Sequence, residues 1–442
     1  MFSLSTLMII SALVAITYAW LNSPTFSSGK LREMNVIMQK CIKNLDDYFD
    51  RIIEQQPEKS SVVFQAKTTF AGFTIDVIAS TAFATTTNAN MEADSPFVTN
   101  GRKLFEIKAL RAMAGFLAPT WLLKLVGIET IFPKENFDFF VALSRRMLDQ
   151  RLEEIKQGKP RRSDLLQMLI DAAVDESELT ADNYNKMTVT EEGNNSGIIL
   201  DQNQNLTKEA STKGEGGSGK LSEKRKLSTS EIIANCILFF AAGYETTSAA
   251  LSHCIYELAK NQSVQERLSD DLTSALEQFS DNESEEYLAV VNNGIPYLEA
   301  VVKETLRRYT PVALLGRVCN AEQGYTFPGT EIHLRKGDVV TLPVVAIHMN
   351  EKYYPEPNRF NPERFMPENK ANLVPYTYLP FSDGPRNCIA MRFAYQEIKL
   401  CLAHLLTRYR FTTTPETPEE LTFKPASALL IAEEFPIQVS RR

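Results

Sequence analysis

Residues 381–390 read Phe381-Ser382-Asp383-Gly384-Pro385-Arg386-Asn387-Cys388-Ile389-Ala390, and a helical pattern runs on from about Asn387 to Tyr409. Cys388 therefore stands where a Gly/Pro loop meets a helix start. Amide N–H groups and the dipole at such a terminus stabilise an anion, so this thiol is expected to ionise easily. Gly384 and Pro385 shape a tight loop that aims main-chain amides at the sulfur. Arg386 adds a fixed cation suited to a carboxylate. A purely structural cysteine is the alternative.

Three further motifs lie upstream. Phe360-Asn361-Pro362-Glu363-Arg364-Phe365 puts an arginine in a Pro-rich irregular stretch, Tyr354–Pro367. Before it, Glu304-Thr305-Leu306-Arg307 falls in a helix expected over Pro296–Tyr309 and stopped by Pro311. Its Glu and Arg, three residues apart, share one face. They read either as a surface ion pair worth under about 1 kcal/mol or, with Arg364, as a charge network that fixes a fold. Earlier still, Ala242-Gly243-Tyr244-Glu245-Thr246-Thr247 interrupts a long apolar run, Ile232–Leu258. That run is expected as a buried central helix, capped by Ser228-Thr229-Ser230-Glu231. Thr246 can simply bond back to a carbonyl. Gly243 can instead let a flat ligand or dioxygen approach the backbone. An iron porphyrin combines an axial site for a thiolate with propionates for arginines.

The remainder bounds the class. The chain has 442 residues, 44% hydrophobic and 23% charged, which are globular values. Lys+Arg 47 against Asp+Glu 55 gives a net charge of -8, a poor basis for binding nucleic acid. Cys41, Cys236, Cys254, Cys319, Cys388 and Cys401 form no C-x-x-C pair, and the histidines form no metal-binding spacing. A zinc site or a disulfide framework is not expected.

Met1–Trp20 carries no charge and is mostly apolar, long enough for a membrane anchor. A cleaved signal is the alternative, but no basic residue precedes the run. Lys30 and Arg32 follow it and place the body in the cytosol. Helical spacing is read over Lys30–Phe49, Phe70–Phe83 and Phe137–Leu169. Phe116–Phe132 is either core or a segment that dips into a bilayer. Residues 175–228, rich in Asn, Gly, Gln and Ser, read as a flexible polar insert. Used sequons at Asn194 or Asn205 would instead mark a secreted glycoprotein. Strands are expected at Glu331–Leu334 and Val339–Val345. The whole is mainly α with minor β.

These motifs, in this order, resemble the cytochrome P450 superfamily: its cysteine loop, its oxygen-activation helix, its E-x-x-R helix and its P-E-R-F meander. The wording P-R-N-C-I-A-M-R-F-A is most similar to animal microsomal members, the drug-oxidising and thromboxane synthase-like group. The resemblance implies a haem domain over residues 23–442 behind a single transmembrane helix, 1–20. It implies haem b, with Cys388 as the thiolate ligand, Arg386 and Arg317 as propionate contacts, and Phe381 beside the sulfur. Thr246 and Glu245 match the proton-guiding pair, and Glu304, Arg307 and Arg364 the structural triad. The implied activity is monooxygenation of a lipophilic small molecule. NADPH enters only through a partner, NADPH–cytochrome P450 reductase, with cytochrome b5 as a second partner, at the endoplasmic reticulum membrane. A thromboxane synthase-like peroxide isomerase is the alternative activity, and Thr246 favours the monooxygenase.

The sequence departs from the family at Ala390, where a Gly is usual, and at Ser382, where this group mostly has Gly. The larger departure is that Ser23–Leu31 resembles a segment found far into full-length members. The first helices, most of the main sheet and the W-x-x-x-R helix are expected to be missing from this haem domain. A truncated form would bind haem weakly, turn over poorly, or serve a non-catalytic role.

Overall fold

A computed structural model describes residues 28–104, 133–174, 227–424 and 429–442, apart from 57, 59, 84, 93, 161 and 163. The expected anchor, the apolar segment 116–132, the sequons at Asn194 and Asn205 and nearly all of the insert lie outside these residues. The described elements form two compact units. One holds the residues up to Leu45 together with Gly72–Tyr244; the other holds Asp46–Ala71 together with Glu245–Arg442.

In chain order the elements open with α1 (Ser28–Glu54), β1 (Val62–Gln65), α2 (Ala66–Phe83), α3 (Pro96–Leu104), α4 (Lys134–Lys156) and α5 (Leu165–Val174). Next come α6 (Thr229–Lys260), α7 (Gln262–Leu276), α8 (Glu285–Ala289) and α9 (Pro296–Arg308). Four strands follow: β2 (Leu314–Val318), β3 (Tyr325–Thr326), β4 (His333–Leu334) and β5 (Val339–Pro343). The chain closes with α10 (Val344–His348), α11 (Met391–Arg408), β6 (Tyr409–Thr412) and β7 (Pro436–Arg441).

The first unit is held by an aromatic cluster. Phe140 stacks on Phe240 at 4.4 Å, and Phe83 and Phe97 meet them edge-on. All four are buried, and edge-to-face pairs add about 0.5–1.5 kcal/mol beyond area burial. Buried Arg151 makes a two-point pair with Asp164 at 2.7 and 3.0 Å. Asp76 accepts from Thr87 Oγ1 and from the Ala89 amide, and burial pushes its carboxyl up to about 7. The start of α6 is the expected capping box: Glu231 N–H donates to Ser228 Oγ, and Ser228 N–H donates to the Glu231 carboxylate.

In the second unit the strand order β1-β7-β6 makes an antiparallel sheet. Its inner face packs Phe49 against Phe64, Tyr409 and Phe411. The pair β2–β5 stands apart from that sheet. One whole face of it is exposed, with Leu314 at 61%, Val318 at 51% and Val339 at 62%.

Several boundaries differ from the sequence reading. The helix expected over Phe137–Leu169 is two helices, because Gly158 takes φ +73 just after α4 and ends it. The last helix starts at Met391, not near Asn387, because residues 384–386 form a separate three-ten turn. The expected strand Val339–Val345 stops at Pro343, where α10 begins. Strands β1, β2, β3, β6 and β7 are short and fall outside the strand pattern of the sequence. The long helix α6 is apolar enough to cross a membrane by length and composition, yet most of it is buried inside the protein, as the sequence reading expects.

Candidate active site

The E-x-x-R motif is a sealed network, not a surface pair. Glu304 and Arg307 are both 0% exposed. Arg307 Nε and Nη2 donate to the two Glu304 oxygens at 2.7 and 2.8 Å. Its other N–H groups reach the carbonyls of His348 and Pro357 and the Met349 sulfur. All of the guanidinium's donors are thereby engaged. Glu304 Oε1 also accepts from the Asn361 amide at 3.0 Å and pairs with Arg364 Nε at 3.4 Å. The expected triad is assembled, and its burial replaces the weak surface pair as the description of Glu304 and Arg307.

His348, which no motif reading singled out, ties this network to the cysteine loop. Its Nδ1 lies 3.1 Å from the Arg307 carbonyl, and its Nε2 accepts the Leu379 amide at 2.8 Å. The tautomer that fits both carries its proton on Nδ1. Burial and the nearby guanidinium hold the imidazole down to about 4, so it is neutral at pH 7. A histidine directly after the apolar run Val344–Ile347 is the only sequence signal for this role.

From Leu379 the chain turns into the loop. Ser382 N–H donates to the Leu379 carbonyl, and Asp383 accepts the Gly384 amide. Cys388 N–H donates to the Phe381 carbonyl at 2.8 Å, which closes the loop on itself. Phe381 packs on Tyr395 of α11 at 5.0 Å. Gly384 takes φ +75, a region that a Cβ disfavours, so the turn calls for glycine. Ser382 takes φ +64 as well. That conformation accounts for the glycine common at this position, and here the serine adds a contact: Arg317 Nη2 donates to Ser382 Oγ at 2.9 Å. The structure thus brings Arg317, from β2, to the cysteine loop. Arg386 is exposed on the loop itself.

Cys388 is exposed. The expectation of an easily ionised thiol is corrected here. Although the residue as a whole is exposed, the neighbouring protein desolvates its sulfur and pushes the thiol up, and the Ala390 amide pulls only partly against it. The physical reason is position: α11 begins three residues later at Met391, so a single amide, not a helix terminus, addresses the sulfur.

On α6, Glu245 is 4% exposed whereas Thr246 is half-buried and Ala242, one turn before it, is exposed. Gly243 has a different neighbour from the one expected. A Cβ there would meet Ile78 Cδ1 at 2.7 Å, so the glycine admits a packing side chain.

The test for a porphyrin is whether these residues suit one. The loop displays an exposed cysteine among exposed residues 383–389, including apolar Ile389 at 46%, with Arg317 and Arg386 beside it. A soft sulfur donor, an apolar rim and two cations fit a metal in a flat dicarboxylate macrocycle, which is the chemistry of haem-thiolate proteins. Comparison with known proteins narrows the class. The family model Cytochrome P450 matches residues 20–192 and 201–439. Cytochrome P450 3A29 of Sus scrofa is 34% identical over 422 residues, 94% of this chain and 71% of the relative. Cytochrome P450 6k1 of Blattella germanica is 31% identical, covering 92% and 70% respectively. Cytochrome P450 3A14 of Cavia porcellus is 32% identical, covering 95% and 72%. The chain belongs to the cytochrome P450 family. It is accordingly an oxidoreductase of the monooxygenase type, with a haem-iron thiolate cofactor and electrons from a partner reductase.

Proposed function

We propose that this chain oxidises a lipophilic small molecule, with Cys388 as the sulfur ligand of haem b. The observation that carries the reading is the exposed Cys388 on a closed, arginine-flanked loop. Arg386 and Arg317 hold the propionates, while Phe381 and Gly384 set the loop's shape. When bound, the haem supplies dioxygen activation and electron transfer. The protein's own part is orientation and proton handling. The Thr246 hydroxyl both donates and accepts, so it can hold a proton path at the oxygen site. Buried Glu245 is the carboxylate that supplies the path. Glu304, Arg307 and Arg364 keep the loop's supporting segment fixed through His348.

The test is Thr246→Ala in the haem-loaded chain with reductase. Product formed per NADPH falls by about tenfold or more, and hydrogen peroxide rises. Unchanged coupling contradicts the role of Thr246.

We further propose anchoring at the endoplasmic reticulum membrane through Met1–Trp20, with NADPH–cytochrome P450 reductase and cytochrome b5 as partners. The charge-free apolar run, followed by Lys30 and Arg32, supports this. Protection of the body from protease outside sealed microsomes contradicts it. We also infer that β2–β5 is part of a wider sheet, as the exposed Leu314, Val318 and Val339 suggest. An apolar dye that binds this chain, and fails to bind one extended by the family's first strands, checks the inference.

A further inference from the structure

Lys67 lies outside every motif read from the sequence. It occupies the first turn of α2, where its own amide and that of Thr68 donate to the Glu434 carboxylate at 2.9 and 3.1 Å. A helix N-terminus favours anions, so a cation at this position works against the dipole. The Lys67 side chain is only 16% exposed. Burial holds its ammonium below the usual lysine range, with Lys424 acting in the same direction and Glu245 and Glu434 opposing. Helix formation alone gives no reason for a lysine here.

The reason lies opposite. Lys67 Nζ stands 3.5 Å from Glu245 Oε1. The Glu245 side chain is 5% exposed, and its Oε1 accepts no hydrogen bond. Among the described residues, no other cation comes within ion-pair range of it. A buried carboxylate without a counter-charge would be driven to its neutral form. At 3.5 Å the contact is an ion pair and not a tight hydrogen bond, so charge attraction holds Oε1 on the lysine side.

We propose that Lys67 is the positioning residue of Glu245: its ammonium anchors one carboxylate oxygen and leaves the other to serve the oxygen site beside Thr246. This rests on the reading of Glu245 given above. Lys67 touches no reacting atom. It acts through its charge, holding the buried Glu245 carboxylate in place. The other titratable groups around Lys67 are Lys424, Glu434 and His253. His253 is held down to about 3 by burial and stays neutral through the working range.

The experiment uses the full chain and four variants: Lys67→Met, Lys67→Arg, Glu245→Gln and the double variant Lys67→Met with Glu245→Gln. In the haem-loaded chain with reductase, Lys67→Met lowers product per NADPH by about tenfold, the scale for an outer partner of a working group. Lys67→Arg restores most of the coupling. Independently of turnover, the denaturation midpoints are non-additive: Lys67→Met costs stability in the parent and little in the Glu245→Gln background. Unchanged coupling in Lys67→Met overturns the proposal. So does equal loss in Lys67→Arg and Lys67→Met, or additive midpoints. If Glu245→Gln couples like the parent, the reading of Glu245 itself fails; if Glu245→Gln uncouples while Lys67→Met does not, only the role of Lys67 fails.

Discussion

The Glu304–Arg307 network and the Cys388 loop belong to one unit, and each is built round an ionisable side chain. One is sealed and the other is open. Glu304 and Arg307 have no solvent exposure, and all of the guanidinium's donors are engaged. Cys388 and its loop neighbours are exposed, and the loop carries two non-glycine or glycine positions in left-handed backbone, Ser382 and Gly384. The difference separates support from display. A charge network that touches no ligand can be buried completely; a loop that presents an atom to a ligand cannot. His348 joins the two, taking the Leu379 amide on one nitrogen and facing the Arg307 carbonyl with the other.

Breaking the sealed side has the largest expected effect. Glu304→Ala leaves Arg307 buried without its counter-charge and costs about 3–5 kcal/mol. Chemical denaturation measures it. A loss below about 1 kcal/mol would return the pair to the class of surface contacts.

The link comes next. The imidazole of His348 is lowered from the usual 6.5 to about 4 in the folded chain. Between those values the unfolded chain binds a proton that the folded chain does not. Stability from this residue is therefore full above about pH 6.5 and is lost as pH falls toward 4, by up to about 3 kcal/mol. His348→Gln lowers stability at pH 7 and flattens the dependence in that window. Unfolding curves taken from pH 7 to pH 4 decide the matter, and an unchanged slope in the variant counts against His348 as the link.

The open side is the least sensitive to a change in stability. Ser382→Gly relieves a left-handed backbone, a gain of about 1 kcal/mol, and loses the Arg317 hydrogen bond, a loss of about 1 kcal/mol. The melting temperature hardly moves, while haem retention weakens because Arg317 is freed from the loop. A large stability change in either direction would show that one effect dominates.

Much of this was legible in the residues. The capping box at Ser228–Glu231 and the long apolar run fixed α6, because both are local signals. The cysteine loop, the E-x-x-R pair and Arg364 were legible because each is a short motif of unusual chemistry. What was not legible depends on tertiary packing. Burial of Glu304 and Arg307 cannot be seen in a three-residue spacing. Cys388 was expected at a helix terminus, but the turn at residues 384–386 and the start of α11 at Met391 leave it with one amide. Gly243 reads as an open approach, yet Ile78 from α2 fills it. Lys67 and His348 escaped notice because lysine at a helix start and histidine directly after an apolar run have no fixed meaning until their partners, Glu245 and Leu379, are in place.

The central claim is that Cys388 is displayed for a haem iron. The direct measurement is the absorption spectrum of the reduced, carbon monoxide-treated chain, loaded with haem, beside its Cys388→Ser variant. The account predicts a thiolate-type Soret band in the parent and its loss in the variant, with the fold of both intact by circular dichroism. The same band in both proteins, or a folded and haem-loaded parent without it, would contradict the account.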